Sequence, residues 1–403
     1  MPQLILKVLF YLFFGYCFLS VAYLALLSFS GRFFYRTRKY AKANPPAAKR
    51  IAVIVPAYKE DNVILSTVQN LLALDYPRDL YDIHIMADSF QPATLEALKD
   101  FPVYVHVVSF TNSTVTKSLN QAFKVIDKVY DIALISDGDN VPARDFLKIT
   151  NEVFVNGAKA MQGRRVAKNL DTSFAILDAC SEAINNHIFR KGSNALGLAS
   201  PVSGSGMAFE FLMLKRLLSD IEAVGFDKVL QLKILQEGNF IYFINDAVTY
   251  DEKVDSSHAF HQQRKRWIST QFVYLRLYFL PSFKQLFKGN FSYFNLVFSN
   301  YMILPKGYLF VVLPVLVALS FVVDTSWGLA AIGLWLLFLG SIALAVPRSL
   351  VNKQLGNAIL SLPKAIFLML RVLFQLKKAD KVFIHTPHTK TQVFNPGETN
   401  AVK

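Results

Sequence analysis

Ile51-Ala52-Val53-Ile54-Val55 is an apolar run of strand length that ends at Pro56. A short run without polar alternation predicts a strand that is covered on both faces, as in parallel sheets. The same rhythm continues downstream, with a predicted helix at 62–74, strands at 83–87 and 103–108, a helix at 117–128 and a strand at 132–136. This order predicts an α/β fold with a mostly parallel sheet.

Polar side chains follow three of the predicted strands. Tyr58 and Glu60 come after the first, Asp88 after the second and Asp137-Gly138-Asp139 after the fourth. Because ligands of open parallel sheets bind beyond the carboxyl ends of the strands, these side chains are expected at one edge. An acidic edge would repel a diphosphate unless a divalent cation such as Mg²⁺ or Mn²⁺ lay between them. An Asp-x-Asp pair in a solvated turn is the alternative.

The composition places part of the chain in lipid. Hydrophobic residues make up 53% of the 403 residues, and the mean hydropathy is +0.32, above that of ordinary soluble domains. The uncharged run from Val8 to Phe29 is long enough to cross a bilayer as a helix, with a cleavable signal peptide as the alternative. Apolar stretches at 304–323 and 327–347 are separated by only three residues and predict a transmembrane hairpin.

The placement of the basic residues accounts for much of the formal net charge of +14. Clusters that mark the cytoplasmic side follow the first run and the hairpin: Arg32, Arg36, Arg38, Lys39, Lys42, Arg348 and Lys353. Three crossings then put the amino terminus outside and the region 32–300 in the cytosol. Aromatic and basic stretches at 272–298 and 355–376 are predicted at the interface with membrane lipids, with a fourth crossing as the alternative for the second. No nucleic-acid recognition motif is present, so no nucleic-acid partner is expected.

Cys17 and Cys180 are the only cysteines, so neither a disulfide framework nor a cysteine zinc site is expected. The compact size and the absence of a targeting peptide favour a bacterial inner membrane.

Five motifs stand in order along the chain: Val55-Pro56-Ala57-Tyr58-Lys59-Glu60, Asp88, Lys117, Asp137-Gly138-Asp139 and Gln263-Arg264-Lys265-Arg266-Trp267. Together they resemble the family-2 inverting glycosyltransferases. The Gln-x-x-Arg-Trp pattern with flanking apolar segments is similar to the membrane-bound synthases of cellulose, chitin and hyaluronan, and to ceramide glucosyltransferases. The resemblance implies a Rossmann-like glycosyltransferase A fold that binds a nucleotide sugar, with added transmembrane and interfacial helices.

The resemblance also implies a role for each matching residue. Residues expected at the UDP-sugar donor are Pro56, Tyr58, Glu60, Asp88, Lys117, Asp137, Gln263 and Arg266. Asp139, with Asp137, would hold the Mg²⁺ or Mn²⁺ ion. Residues expected at the acceptor are Ser205, Gly206 and Met207 of a glycine-rich loop, and Trp267. The alternative for the loop is a plain glycine-rich turn, and the alternative for Trp267 is ordinary packing.

Asp227 is the expected general base, because the family has an aspartate at this place. The acid that precedes this aspartate in the family is Phe226 here, and a helix cap is the alternative role for Asp227. His385 and His388 could form a metal pair, but a segment folded back over the donor site, or a disordered tail, also fits them.

The predicted layout has six parts: a transmembrane helix (1–31), a basic linker (32–49), a cytosolic glycosyltransferase domain (50–271), interfacial helices (272–302), a transmembrane hairpin (303–347), and an interfacial helix with a cytosolic tail (348–403).

The predicted activity is transfer of a sugar to a growing polysaccharide by metal-assisted single displacement. Three crossings give little wall for a pore, so secretion of a polymer would need an export partner or a homo-oligomer. The alternatives are a single transfer to a glycolipid acceptor at the interface, and an inactive nucleotide-sugar-binding scaffold.

Overall fold

The computed structural model describes residues 2–36, 48–222, 225–373 and 388–392. The strands are β1 (Ile51–Tyr58), β2 (Tyr81–Asp88), β3 (Tyr104–Val108), β4 (Ile132–Ile135), β5 (Val141–Pro142), β6 (Ala160–Ala167), β7 (Met207–Glu210) and β8 (Ile241–Asp251). The helices are α1 (Pro2–Phe33), α2 (Ile64–Leu72), α3 (Pro92–Leu98), α4 (Val115–Val125), α5 (Phe146–Val155), α6 (Ser173–Asn185), α7 (Ser193–Ala195), α8 (Phe211–Leu218), α9 (Phe226–Gln236), α10 (Ser257–Phe287), α11 (Phe291–Val297), α12 (Lys306–Val323), α13 (Thr325–Ala345), α14 (Lys353–Ile359) and α15 (Leu362–Leu373).

The chain forms two compact units. The described residues of the sheet unit are 48–179, 199–222, 225–259 and 388–392. Those of the helical unit are 2–36, 180–198 and 260–373. Residues 180–198, which the predicted layout includes in the glycosyltransferase domain, therefore pack with the apolar helices.

The eight strands form one sheet in the order β3-β2-β1-β4-β7-β6-β8-β5. The neighbours β3-β2-β1-β4 run parallel, as do β6 and β8, whereas β7 and β5 pair antiparallel to their neighbours. The predicted α/β fold with a mostly parallel sheet is confirmed. The short strand β5 and the strands β6, β7 and β8 were not predicted.

Burial on both sheet faces explains the unbroken apolar strands. Val53 and Val55 of β1 are fully buried in a core with Val68 of α2 and Phe146 of α5. Pro56 lies in the same strand, where it can donate no backbone hydrogen bond. The pairing of β1 with β4 has already ended at Ile54, so Pro56 lies beyond it.

Three helices of the helical unit are long and apolar enough to cross a membrane, at Gln3–Phe33, Lys306–Val323 and Thr325–Ala345. They contain the three apolar runs singled out in the sequence almost in full. Asp324 joins α12 to α13, and its carboxylate accepts a hydrogen bond from Ser326 N at 2.8 Å. The pair Lys353–Ile359 and Leu362–Val372 is bent by 44° and counts as a fourth span only if the two helices are taken together.

Helix α1 approaches a π-helical segment, Asn186–Gly192, very closely within the helical unit. A Cβ atom on Gly192 would lie 2.3 Å from Leu27 O, and one on Gly31 would lie 2.6 Å from His187 O. The His187 imidazole also hydrogen-bonds Ser28 O at 2.9 Å. Glycine at these two positions therefore permits the contact.

Candidate active site

The carboxyl ends of β2, β1 and β4 bring the predicted polar residues to one edge of the sheet. Tyr58 and Asp88 are paired in the register of β1 and β2, and Lys59 N donates to Asp88 O at 3.0 Å. On the other side, Ser136 N donates to Ile54 O at 3.1 Å, so the Asp137-Gly138-Asp139 turn starts beside β1. The predicted convergence of the three strand ends is confirmed for this part of the site.

Two residues at these strand ends have a left-handed backbone. Lys59 has φ 56° and Ser89 has φ 60°, and they are the two non-glycine residues with positive φ in the described part of the chain. This conformation is unfavourable for residues with a Cβ atom and is concentrated at functional sites. The strain directs the chain away from the sheet directly after β1 and β2.

Asp88 is fully buried and only partly hydrogen-bonded. Its Oδ1 accepts from Ser89 Oγ at 3.0 Å, whereas Oδ2 has no hydrogen-bond partner among the described residues. Such an orphaned acceptor is costly unless a bound molecule supplies a donor. The atom suits an N–H or O–H group of a nucleotide, in keeping with the role predicted for Asp88.

The Asp137-Gly138-Asp139 turn concentrates negative charge. Burial and the neighbouring Asp139 carboxylate raise the pKa of Asp137 to about 7, against the opposite effect of Arg165. A Cβ atom on Gly138 would lie 3.0 Å from Ala57 Cβ and 3.2 Å from Glu60 Cγ, so glycine lets the turn sit against β1.

A carboxyl group whose ionised form is disfavoured by burial and by a neighbouring carboxylate fits a divalent cation, which would relieve the repulsion. Within the described residues no group of three or more Asp, Glu, His or Cys side chains is arranged to hold a metal ion. The donor set fits an ion held by Asp137 and Asp139, with phosphate oxygens of a bound nucleotide completing the coordination.

Two buried lysines and a partly buried arginine lie at or near the acidic turn and Asp251, and the sequence reasoning missed them. Lys168 is 1% exposed, burial lowers its pKa, and its Nζ donates to Asp139 O at 2.8 Å. Arg165 donates to Ser203 O at 3.1 Å and to Asp251 at 2.5 Å, and Lys253 donates to Asp251 at 2.8 Å. Lysine and arginine are usually exposed, so only tertiary structure could assign them here.

Residues 388–392 lie against the sheet unit, to which they belong. The His388 imidazole contacts Glu60 Oε1 at 2.9 Å, and the backbone amides of Thr389 and Lys390 donate to Glu252 at 3.0 and 2.9 Å. Burial opposes protonation of His388, but Asp139 and the hydrogen bond to Glu60 raise its pKa to about 10. A cationic imidazole therefore lies near the acidic turn; His385 is outside the described residues.

The glycine-rich loop lies directly beside the acidic turn. Ser205 Oγ accepts from Asp137 N at 3.0 Å and bonds the Asn140 amide at 2.6 Å. Gly206 has φ +64°, and a Cβ atom there would lie 2.8 Å from Thr249 Oγ1. Ser205, Gly206 and Met207 are all buried, and the partly exposed residues of the loop are Ser203 and Gly204. An acceptor would therefore meet the loop at Ser203 and Gly204.

Asp227 lies in the first turn of α9, beside the same loop. Its carboxylate is 3.2 Å from Lys228 Nζ, and that ammonium donates to Val202 O at 3.2 Å. Gln231 of α9 accepts from Val202 N at 3.1 Å. These contacts anchor the predicted base to the start of the glycine-rich loop.

The other predicted site residues are Lys117, Gln263, Arg266 and Trp267. Among the described contacts, none joins these residues to the acidic turn or the glycine-rich loop. Lys117 is exposed in the first turn of α4, where its Nζ donates to Asn112 O at 2.7 Å. Gln263, Arg266 and Trp267 lie on α10 in the helical unit. Trp267 is 41% exposed, and the Arg264 guanidinium lies 4.4 Å from its ring centroid. Roles for these residues remain predictions.

A mostly parallel sheet with an Asp-x-Asp turn at its carboxyl edge defines the class of nucleotide-sugar glycosyltransferases with a glycosyltransferase A fold. Comparison with known proteins agrees. The mannosyltransferase PcManGT from Pyrobaculum calidifontis, solved in complex with GDP-Man and Mn2+, has a similar structure, with a TM-score of 0.50 and 18% identity over 91% of this chain and 100% of that one.

Residues 46–270 match the family described as Glycosyltransferase like family 2, and the chain belongs to that family. It is 23% identical over 347 residues to the probable glycosyltransferase YdaM of Bacillus subtilis, covering 78% of each chain. It is 25% identical over 248 residues to the beta-monoglucosyldiacylglycerol synthase of Trichormus variabilis, covering 59% of this chain and 52% of that protein.

Proposed function

We propose that this glycosyltransferase is a membrane-integrated inverting enzyme that transfers a sugar from a UDP-sugar to a growing polysaccharide. The observation that carries the proposal is the convergence of Asp88, the Asp137-Gly138-Asp139 turn and the glycine-rich loop beside Asp227. A single displacement requires a donor site, a cation site and an acceptor site with a base.

In the proposed donor complex, Asp88 binds the base or ribose, and Asp137 and Asp139 hold Mg²⁺ or Mn²⁺ at the diphosphate. The bound cation would neutralise charge on the leaving diphosphate. Tyr58, Glu60 and Lys117 would line the nucleotide, and Gln263 and Arg266 the pyrophosphate. The planar guanidinium of an arginine suits two phosphate oxygens at once.

Asp227 would take the proton of the acceptor hydroxyl as that oxygen attacks the anomeric carbon. The attack from the side opposite the leaving diphosphate inverts the configuration at that carbon. The loop that contains Ser205, Gly206 and Met207 would contact the acceptor sugar at its exposed residues Ser203 and Gly204, and the face of Trp267 would orient that sugar.

The three apolar helices support membrane integration, and the basic residues that flank them support a cytosolic catalytic domain, as in a bacterial inner membrane. With so few crossings, export of a polymer would depend on a partner or on a homo-oligomer.

A lipid acceptor is the second candidate. It is favoured by the similarity to a glucosyldiacylglycerol synthase over 59% of this chain. A single transfer at the interface would also require no pore.

The proposal is tested with protein purified in detergent, a panel of radiolabelled UDP-sugars with GDP-mannose, and Mn²⁺. A polymeric product that disappears in Asp139→Ala, but not in the matched surface variant Asp246→Ala, is the expected result. A short, solvent-extractable product would support the lipid acceptor instead. Normal nucleotide binding without turnover of any donor would contradict both and favour a scaffold.

A further inference from the structure

We propose that Gln162 is a positioning residue whose side-chain amide fixes the glycine-rich loop in the shape that joins the acceptor to the cation-binding turn. The inference rests on the proposed function of that loop. Gln162 lies on β6 and is fully buried, and it matches none of the motifs by which the family was recognised.

Both ends of the Gln162 amide bind the loop. Its Oε1 accepts from Ser203 N at 2.9 Å. Its Nε2 lies 3.1 Å from Ser205 O and 3.2 Å from Gly206 O, as well as 2.9 Å from Gly163 O. The Gln162 side chain therefore binds three residues of the loop: its oxygen accepts from Ser203, and its nitrogen lies within hydrogen-bond distance of Ser205 O and Gly206 O.

The loop transmits this position to the acidic turn through Ser205. Ser205 Oγ accepts from Asp137 N at 3.0 Å and bonds the Asn140 amide at 2.6 Å. With the Asn140 oxygen facing that hydroxyl, Asn140 Nδ2 donates to Asp139 Oδ2 at 3.0 Å. A chain of hydrogen bonds thus runs from Gln162 through the loop to a carboxylate that would hold the cation.

Other contacts hold other atoms of the loop. Gly163 N donates to Gly206 O at 2.8 Å, and Gly206 N donates to Ile135 O at 3.0 Å. Arg165 holds Ser203 O, and Gln231 and Lys228 hold Val202. Gly204 and Gly206 have positive φ, a conformation that no side chain of their own can secure. Removing the amide of Gln162 would therefore remove, in one change, the hydrogen bonds that it makes to Ser203 N and Ser205 O.

Three variants test the proposal: Gln162→Glu, Gln162→Met and the remote control Asn151→Asp, another buried amide that only accepts from Lys49 N. Glutamate keeps the acceptor but replaces the donor with an oxygen that faces three carbonyls. Methionine keeps the volume and removes both functions. We expect kcat/KM for the acceptor to fall on the order of 100-fold in both Gln162 variants, with a much smaller loss of UDP affinity and no change in the control.

The pH dependence separates positioning from simple packing. A buried carboxyl near carbonyl groups is readily protonated, and the protonated form donates again. Activity of Gln162→Glu relative to wild type is therefore expected to rise as the pH is lowered from about 8 to about 6, whereas Gln162→Met gains nothing. Wild-type acceptor efficiency in Gln162→Met, or equal losses of UDP affinity and acceptor efficiency, would overturn the proposal.

Hydrogen exchange supplies a readout that does not depend on activity or on a folded variant. In ligand-free wild-type protein, the Ser203 amide is expected to exchange slowly, because Gln162 accepts its hydrogen bond. Exchange at the rate of an open loop would contradict the proposal even if every variant misfolds. A wild-type enzyme without any activity would instead count against the proposed function, and the exchange result would still stand.

Discussion

At the scale of single residues, Asp88 provides the most direct test of the donor site. Asp88→Asn keeps an oxygen for Ser89 but turns the orphaned acceptor into a donor, which would face the N–H or O–H of the nucleotide. We expect UDP affinity to fall about tenfold or more, since a hydrogen bond to a charged group contributes about 1.5–3 kcal/mol. Titration calorimetry with UDP and Mn²⁺ measures the change, and the exposed Asp246→Asn is the control. Unchanged affinity would exclude Asp88 from the donor site.

Asp227 is tested by separating binding from turnover. Asp227→Asn cannot accept the acceptor proton, so kcat is expected to drop by about 10²–10⁴ while UDP affinity remains normal. Asp220→Asn, which alters an exposed carboxylate paired with Lys233, is the control. A near-normal kcat in Asp227→Asn would show that this residue only supports the start of α9.

Some residues of the site could be predicted from the sequence and others could not. Asp88, Asp137 and Asp139 could be located because each follows an apolar strand. Lys168 and Arg165 could not, because basic residues on their own predict a surface. Their positions depend on contacts with Asp139 and Asp251, which are far away in sequence. Pairings between distant segments are invisible to local patterns.

At the scale of elements, the first four strands could be predicted from local sequence patterns, whereas the later strands could not. Strands β1, β2, β3 and β4 were predicted within three residues at each end, because each has a mostly apolar run. The run is uninterrupted in β1 and β4, which are buried parallel strands. Strand β6 is interrupted by Gly163-Arg164-Arg165, and β7 has only four residues. Their strand character comes from pairing with β4 and β8.

The segment 388–392 is expected to leave the sheet unit at high pH. The pKa of His388 is raised in the folded state, so its pairing with Glu60 stabilises the docked segment fully below the ordinary histidine pKa of about 6.5. That stabilisation is lost as the pH rises towards about 10. Hydrogen exchange of the Thr389 and Lys390 amides measures docking in metal-free protein. His388→Gln should remove the pH dependence, and a dependence that persists in it would assign the effect elsewhere.

The contact of α1 with the π-helical segment is expected to be intolerant of a single methyl group. Gly192→Ala places a Cβ atom against Leu27 O, which neither backbone can avoid, and overpacking of this kind costs about 1–3 kcal/mol. A lower midpoint of thermal unfolding in detergent is the expected result. Gly333→Ala is the matched control, because nothing lies within 4 Å of its added Cβ. Equal midpoints for the two variants would contradict a tight contact.

At the scale of the whole molecule, the proposed topology predicts which side of the membrane each surface faces. Ser326→Cys, at the start of α13, should react with a membrane-impermeant maleimide in intact cells. Lys99→Cys, on the surface of the sheet unit, should react only after lysis. Cys17 and Cys180 are buried and contribute little background. Labelling of both sites in intact cells, or of neither, would rule out the three-crossing arrangement.

The division of the chain into two interleaved units limits how the gene can recombine. The helical unit is built from three separate stretches of sequence and the sheet unit from those that alternate with them. Strand β7 lies between β4 and β6 in the sheet, but in the sequence it follows residues 180–198, which belong to the helical unit. A single crossover in the gene therefore cannot exchange one whole unit without also exchanging part of the other.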